Sequence, residues 1–155
     1  FRDRFETLRK LLAAETPERA IVFINNSTEL QNINEKLDYH KVKSTAIYGN
    51  ASKEQRQRSI EAFRNGKFNV LVSSDVSARG LDIPEVTHII SMDFPENPDE
   101  YLHRAGRTAR GNLSGSSICI GTKRDLESIK SYQKAFKIKF TEMKLYGGNL
   151  IPVKF

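Results

Sequence analysis

Short apolar runs recur along the chain, and longer segments of mixed character separate them. Each run is four or five residues long, too short and too uniformly apolar for a strand that exposes one face to water. Such runs are typical of strands that are covered on both faces of a sheet. The five predicted strands are Ala20–Ile24, Thr45–Tyr48, Val70–Ser73, Val86–Ile90 and Ser117–Ile120.

The segments between these runs carry apolar residues at helical spacing. Asn26 with Glu29 and Ser52 with Gln55 are capping pairs that predict two helix starts. Gly66 stands where the second of these helices should end. Strands that alternate with helices predict right-handed crossovers and a mainly parallel sheet with helices on both faces, a three-layer α/β architecture.

Two further helices are predicted in the second half of the chain. Asn97–Glu100 combines a cap, a first-turn proline and two acidic residues, and Gly111 should close the helix that begins there. Another helix is predicted over residues 124–136, and the glycines of Tyr146–Leu150 predict a turn beside an irregular or edge segment. The residues expected on the inner side of the 124–136 helix are Leu126, Ile129 and Phe136.

Composition and charge restrict the class of protein. The chain has 155 residues, 38% of them hydrophobic and 28% charged, which fits one globular domain from residue 1 to 155 and no membrane partner. A formal charge of +6 suits an anionic partner such as nucleic acid, and equally a merely soluble basic surface. The single cysteine, Cys119, favours a reducing compartment, most simply the cytoplasm, with nucleus and organelles still open.

Ligand sites of open parallel sheets lie at the carboxyl ends of the strands. That rule selects four places: Asn25–Asn26, Gly49–Arg56, Ser73–Asp82 and His103–Arg110.

Basic residues crowd the last of these places. At about 100° per residue, His103, Arg107 and Arg110 fall within an arc of about 60°, whereas Arg104 points elsewhere. One interpretation is a solvated basic face near a helix C-terminus. The other is that Arg107 and Arg110 contact the phosphates of a nucleotide, where a guanidinium stabilises the charge of a transferring phosphoryl group.

Ser73–Asp82 also carries groups suited to phosphate. Hydroxyls, Arg79 and Gly80, whose backbone a ligand can approach closely, match phosphate oxygens. Asp82 only accepts hydrogen bonds, so it fits a ribose hydroxyl better. The alternative is a simple turn in which Asp75 caps a short helix.

Two of these segments resemble motifs of one family. Ser74–Asp82 resembles motif V of the DEAD-box RNA helicases, and His103–Arg110 resembles their motif VI. Ile21–Asn25 is similar to motif IV, and Phe63–Gly66 to the family's Phe-Arg-x-Gly helix end. The resemblance implies a RecA-like domain, a second such domain upstream in the same chain, and RNA-dependent ATP hydrolysis that separates short duplexes.

The resemblance also implies roles for single residues. Arg107 and Arg110 match the arginines that contact the γ-phosphate, His103 matches the link to the opposite domain, and Asp82 matches the ribose contact. The glutamine of the family's Gln-x-x-Arg element is Lys53 here. The residues expected to contact the RNA backbone are Arg56, Ser74, Arg79, Gly80, Asn26 and Gly49.

A phosphate loop is missing from the sequence, since the only Gly-Lys pair, Gly66–Lys67, is followed by Phe68. We therefore expect ATP and its Mg²⁺ to be held by the upstream domain, no metal ligand in this chain, and no ATPase activity of the isolated, monomeric fragment. Two alternatives stay open: the equivalent domain of a DNA helicase, and a free-standing RNA-binding or scaffold module.

Overall fold

A computed structural model describes residues 2–79, 86–94, 98–105, 115–121 and 123–153. These residues group into two compact units. One unit extends from Pro17 to Cys119, and the other combines the residues up to Thr16 with those from Ile120 onwards.

A five-stranded sheet forms the centre of the 17–119 unit. Its strands are β1 (Ala20–Phe23), β2 (Ser44–Ile47), β3 (Val70–Ser73), β4 (His88–Ser91) and β5 (Ser116–Cys119). Their order across the sheet is β2-β3-β1-β4-β5, and every neighbouring pair is parallel. The predicted strands and the α/β fold class are therefore confirmed, with strand ends that differ from the predicted ones by at most two residues.

Burial differs between the middle and one edge of this sheet. Every residue of β1 and of β3 is buried, as their apolar runs predict. In β5, however, Ser117 is exposed and Cys119 is only half-buried. The prediction that this strand is covered on both faces was wrong, because β5 is an edge strand that begins with two serines and has less apolar surface to bury.

Helices flank the sheet in the same unit. They are α2 (Ser27–Tyr39), α3 (Lys53–Arg64), α4 (Asp75–Ala78) and α5 (Pro98–Ala105); α1 (Arg2–Glu15) and α6 (Leu126–Phe136) belong to the other unit. Ile60 and Phe63 of α3 share a buried cluster with Phe23 of β1 and Leu71 of β3. The stripe predicted for α2 is buried throughout: Leu30, Ile33 and Leu37.

The ends of α3 follow the predicted chemistry. The Ser52 hydroxyl accepts from the Gln55 amide at 3.1 Å, and the Gln55 side chain accepts from the Ser52 amide at 2.9 Å, which completes a capping box. At the other end Gly66 adopts a φ of +81°, and the Lys67 amide donates to the carbonyl of Ala62 at 3.0 Å. This arrangement is a Schellman motif, and Gly66 tolerates its left-handed backbone without steric cost.

The second unit differs more from the sequence-based expectations. Helix α1 was not predicted, although Phe5, Leu8 and Leu12 are buried at helical spacing. In α6 the expected inner residue Leu126 is 49% exposed, whereas Tyr132 is the buried one. Strands β6 (Met143–Tyr146) and β7 (Asn149–Pro152) pair antiparallel around the predicted glycine turn.

Candidate functional site

The carboxyl ends of three neighbouring strands meet at a buried ion pair. Asp75 follows β3, Asp93 follows β4, and Arg104 reaches both from α5. Nε and Nη2 of Arg104 each donate to a different oxygen of the Asp75 carboxylate at 2.7 Å. Nη1 donates to the Asp93 carbonyl at 2.7 Å, and Nη2 also reaches Oδ1 of Asp93 at 3.1 Å. A single guanidinium thus connects two strand ends to α5.

Asn25, directly beyond β1, adds the third strand end to this network. Its Nδ2 donates to Oδ2 of Asp75 at 2.9 Å, and its Oδ1 accepts from the Asp75 amide at 3.0 Å. Its own backbone amide donates to Oδ2 of Asp93 at 2.8 Å. The segment that resembles motif IV is therefore hydrogen-bonded to both acidic residues that Arg104 binds.

The electrostatics of Arg104 favour a permanent charge. Its side chain is 1% exposed, and burial by itself lowers the pKa of the guanidinium. The hydrogen bonds and charges of Asp75 and Asp93 outweigh that effect, so the pKa of Arg104 is raised above its ordinary value. The guanidinium also lies 5.0 Å from the centre of the Phe23 ring. Arg104 is fully committed to protein partners, which makes it a structural residue.

The sequence predicted only that Arg104 points away from the helix face that carries His103, Arg107 and Arg110. The predicted difference in direction between Arg104 and His103 is confirmed, because Arg104 is buried while His103 has a 70% exposed side chain. Its partners were missed, since Asp75 is 29 residues away in the chain. The interpretation of Asp75 as a helix cap was also wrong: the Ser74 hydroxyl accepts from the Ser77 amide at 3.1 Å and caps α4 instead.

A second cluster of charge lines a surface groove along α3. The groove encloses about 1040 Å³ and brings residues of α3 together with Arg79, which follows α4. Among the described residues its walls carry more positive than negative side chains, since the only carboxylates there are those of Glu54 and Glu61. The cationic members are Lys53, Arg56, Arg58, Arg64 and Arg79. Such a surface attracts an anionic chain.

Arg56 has an unused donor in this groove. Its Nη2 donates to the carbonyl of Gly49 at 3.2 Å, so two of the predicted RNA contacts touch each other. Its Nε is buried and has no hydrogen-bond partner among the described residues. A buried guanidinium nitrogen without a partner is costly unless a ligand supplies an acceptor.

Asn26 and Ser74, two further predicted RNA contacts, lie just beyond the carboxyl ends of β1 and β3. Oδ1 of Asn26 accepts from the Glu29 amide at 3.0 Å and caps α2, just as Ser74 caps α4. Capping uses the acceptor side of these groups; the Ser74 hydroxyl and the Asn26 amide nitrogen are also donors.

Glu100 of α5 contacts two of the predicted site residues. One carboxylate oxygen pairs with Nη2 of Arg79, and the other lies 3.8 Å from Nδ1 of His103. Arg79 and His103 are mostly exposed, whereas only 18% of the Glu100 side chain is. The described part of α5 thus places a largely covered carboxylate between both residues.

Four predicted site residues, Gly80, Asp82, Arg107 and Arg110, lie outside the described residues, as does the predicted helix end Gly111. Their roles stay predictions. Within the described ranges no group of three or more His, Cys, Asp or Glu side chains is placed to hold a metal ion. No described helix combines the length and the apolarity that a bilayer crossing requires.

Comparisons with known proteins agree with this architecture. Residues 3–112 match the family model described as the helicase conserved C-terminal domain. The chain is 35% identical over 136 residues to the DEAD-box ATP-dependent RNA helicase CshC of Bacillus cereus, covering 88% of this chain and 35% of CshC. It therefore spans about a third of that relative's length.

Solved structures give the same result. The C-terminal domain of the DEAD-box protein Dbp5 superposes with a TM-score of 0.83 at 29% identity, covering 90% of this chain and 82% of that domain. Dbp5 of S. cerevisiae bound to RNA and ADP BeF3 matches with a TM-score of 0.78 at 30% identity, covering 86% of this chain and 36% of Dbp5. The chain belongs to the helicase conserved C-terminal domain family and is a C-terminal RecA-like domain of the DEAD-box RNA helicases.

Proposed function

We propose that this domain is one half of the ATPase core of an ATP-dependent RNA helicase, and that it contacts the RNA backbone and completes an ATP site on an upstream RecA-like domain. The observation that carries the proposal is the groove in which Arg56 and Arg79 share one surface and Nε of Arg56 has no hydrogen-bond partner among the described residues. Family membership supplies the kind of reaction.

The groove suits a nucleic-acid backbone better than it suits a small molecule. It is a surface feature lined by cations from α3 and from the chain beyond α4, and phosphate contacts of this kind carry most of the affinity for RNA. The proposed contacts are Arg56, Arg79, Gly80, Gly49, Asn26 and Ser74. Dbp5, which has a similar fold, has been solved bound to RNA.

Two of the proposed nucleotide contacts, Arg107 and Arg110, follow α5 along the chain. In the proposal, Arg107 and Arg110 approach the γ-phosphate, His103 contacts the opposite domain, and Asp82 binds the ribose. The described side chains include no group of carboxylates suited to Mg²⁺, and the sequence has no phosphate loop. Mg²⁺ and the triphosphate are therefore assigned to the upstream domain, and this domain alone should not turn over ATP.

The buried network has a supporting part in this scheme. It connects α5 to the ends of β1, β3 and β4 through Asn25, Asp75 and Asp93. Arg107 comes three residues after Arg104 in the chain. A helix held by charge-assisted bonds at its last described turn is a rigid base for catalytic groups that must act in one geometry.

Substitution of the two arginines in the intact helicase tests the proposal. Arg107→Ala or Arg110→Ala should lower RNA-stimulated ATP turnover by about 10³-fold or more, because each removes a guanidinium that stabilises the charge of the transferring phosphoryl group. The thermal unfolding midpoint should stay close to that of the wild type. Lys130→Ala, on the exposed surface of α6, is the matched control and should leave turnover unchanged.

Unchanged turnover in folded Arg107→Ala and Arg110→Ala proteins would remove the proposed nucleotide contacts. The choice of nucleic acid is tested in the same assay. Single-stranded RNA should stimulate turnover more than DNA of the same sequence, and equal stimulation would contradict the assignment of RNA as substrate.

A further inference from the structure

Glu100 has no part in the proposed function, yet it contacts two residues that do. It lies in the first turn of α5, and its side chain is only 18% exposed. Its two carboxylate oxygens face different cationic or ionisable groups, Arg79 on one side and His103 on the other.

Glu100 binds the guanidinium of Arg79, the group that would contact a phosphate of RNA. A carboxylate and a phosphate present similar oxygens to a guanidinium, so both compete for the same donors. Arg79 is 62% exposed, which leaves its outer surface open to an incoming strand. The partly covered carboxylate of Glu100 is less screened by solvent than a free surface acid, and its attraction for Arg79 is correspondingly stronger.

We infer that Glu100 is an internal counterion of Arg79, which a backbone phosphate of RNA must displace, and that Glu100 thereby sets the RNA affinity of this domain. The inference rests on the proposed RNA contact of Arg79. It assigns to a carboxylate on α5 a negative contribution to binding: the domain binds RNA less tightly than its groove cations alone would allow.

The opposite role makes the opposite prediction. If Glu100 orients Arg79 for phosphate, loss of the carboxylate charge weakens RNA binding. If Glu100 competes with phosphate, the same change strengthens binding. Glu100→Gln distinguishes the two, because it removes the charge while keeping the shape of the side chain.

The experiment titrates a fluorescently labelled single-stranded oligouridylate with this chain at low salt and follows anisotropy. Glu100→Gln should lower Kd by about two- to fivefold, the range expected for a partly exposed ion pair. Glu35→Gln, which removes one charge from the exposed surface of α2, controls for net charge and should lower Kd by less. Circular dichroism melting confirms that each variant is folded.

A double-mutant cycle locates the effect. Arg79→Ala should weaken binding, and adding Glu100→Gln to Arg79→Ala should bring no more gain than Glu35→Gln does, because the competing pair no longer exists. A Kd for Glu100→Gln that rises, or that matches Glu35→Gln, overturns the counterion role while leaving the RNA contact of Arg79 intact. If Arg79→Ala leaves Kd unchanged, the RNA contact of Arg79 fails and the counterion role fails with it.

Discussion

Arginines in two clusters near the carboxyl ends of the strands differ in how many of their donors have partners. All three guanidinium nitrogens of Arg104 donate to Asp75 or Asp93, and the side chain is 1% exposed. Arg56, in the groove along α3, keeps a buried Nε without a partner among the described residues. The comparison teaches that the satisfaction of its donors, more than its charge, distinguishes a structural arginine from one that awaits a ligand.

Removal of Arg104 should have the largest effect on folding. Arg104→Ala leaves the buried carboxylate of Asp75 without its counterion and should lower the free energy of unfolding by about 3–5 kcal/mol. Urea denaturation of wild type and variant measures the difference. His103→Ala, at the exposed neighbouring position, is the control and should change stability by no more than about 0.5 kcal/mol. A loss below about 1 kcal/mol for Arg104→Ala would contradict the structural role.

Gly49, whose carbonyl accepts from Arg56, tests the cluster along α3. A Cβ at this position would have no heavy atom within 4 Å, so Gly49→Ala should change stability by less than about 0.5 kcal/mol. If the RNA backbone passes close to Gly49, the added methyl group should cost about 1 kcal/mol in binding, or about fivefold in Kd. Normal stability with unchanged RNA affinity would remove Gly49 from the interface.

The smallest expected effect concerns pH: the stabilisation that Arg104 provides should not change with pH. The folded-state pKa of Arg104 is raised, so its contribution is present below the unfolded-state pKa and is lost only as pH rises through the higher folded value. The stability difference between wild type and Arg104→Ala should therefore stay constant from about pH 7 to 10, since the guanidinium does not titrate there. Denaturation at both ends of this window checks it, and a difference that shrinks towards pH 10 would contradict the assignment.

Local patterns predicted most of the sheet unit. Capping pairs and glycines act over three or four residues, so Ser52 with Gln55 and the end at Gly66 were readable directly. Apolar runs located all five strands, although only β1 and β3 are buried at every residue. Helix α1 had a readable signal in Phe5, Leu8 and Leu12.

Features that depend on distant partners were not readable. The burial of Arg104 follows from Asp75 and Asp93, which the fold alone brings near, and arginine is ordinarily an exposed residue. The contacts of Glu100 have the same origin, since Arg79 is 21 residues away. In α6 the buried residue is Tyr132, three residues after Ile129 and four before Phe136, while Leu126 at the helix start stayed exposed.

The central claim, that the groove binds the RNA backbone through Arg56 and Arg79, is tested most directly by the salt dependence of RNA binding. For single strands, each lost phosphate contact lowers the slope of log K against log salt by about 0.7. Arg56→Ala/Arg79→Ala should therefore flatten the slope by about 1.4 and weaken binding. Lys130→Ala/Lys134→Ala, which removes the same charge from α6, should change the slope far less. A folded Arg56→Ala/Arg79→Ala protein with the wild-type slope and affinity would contradict the account.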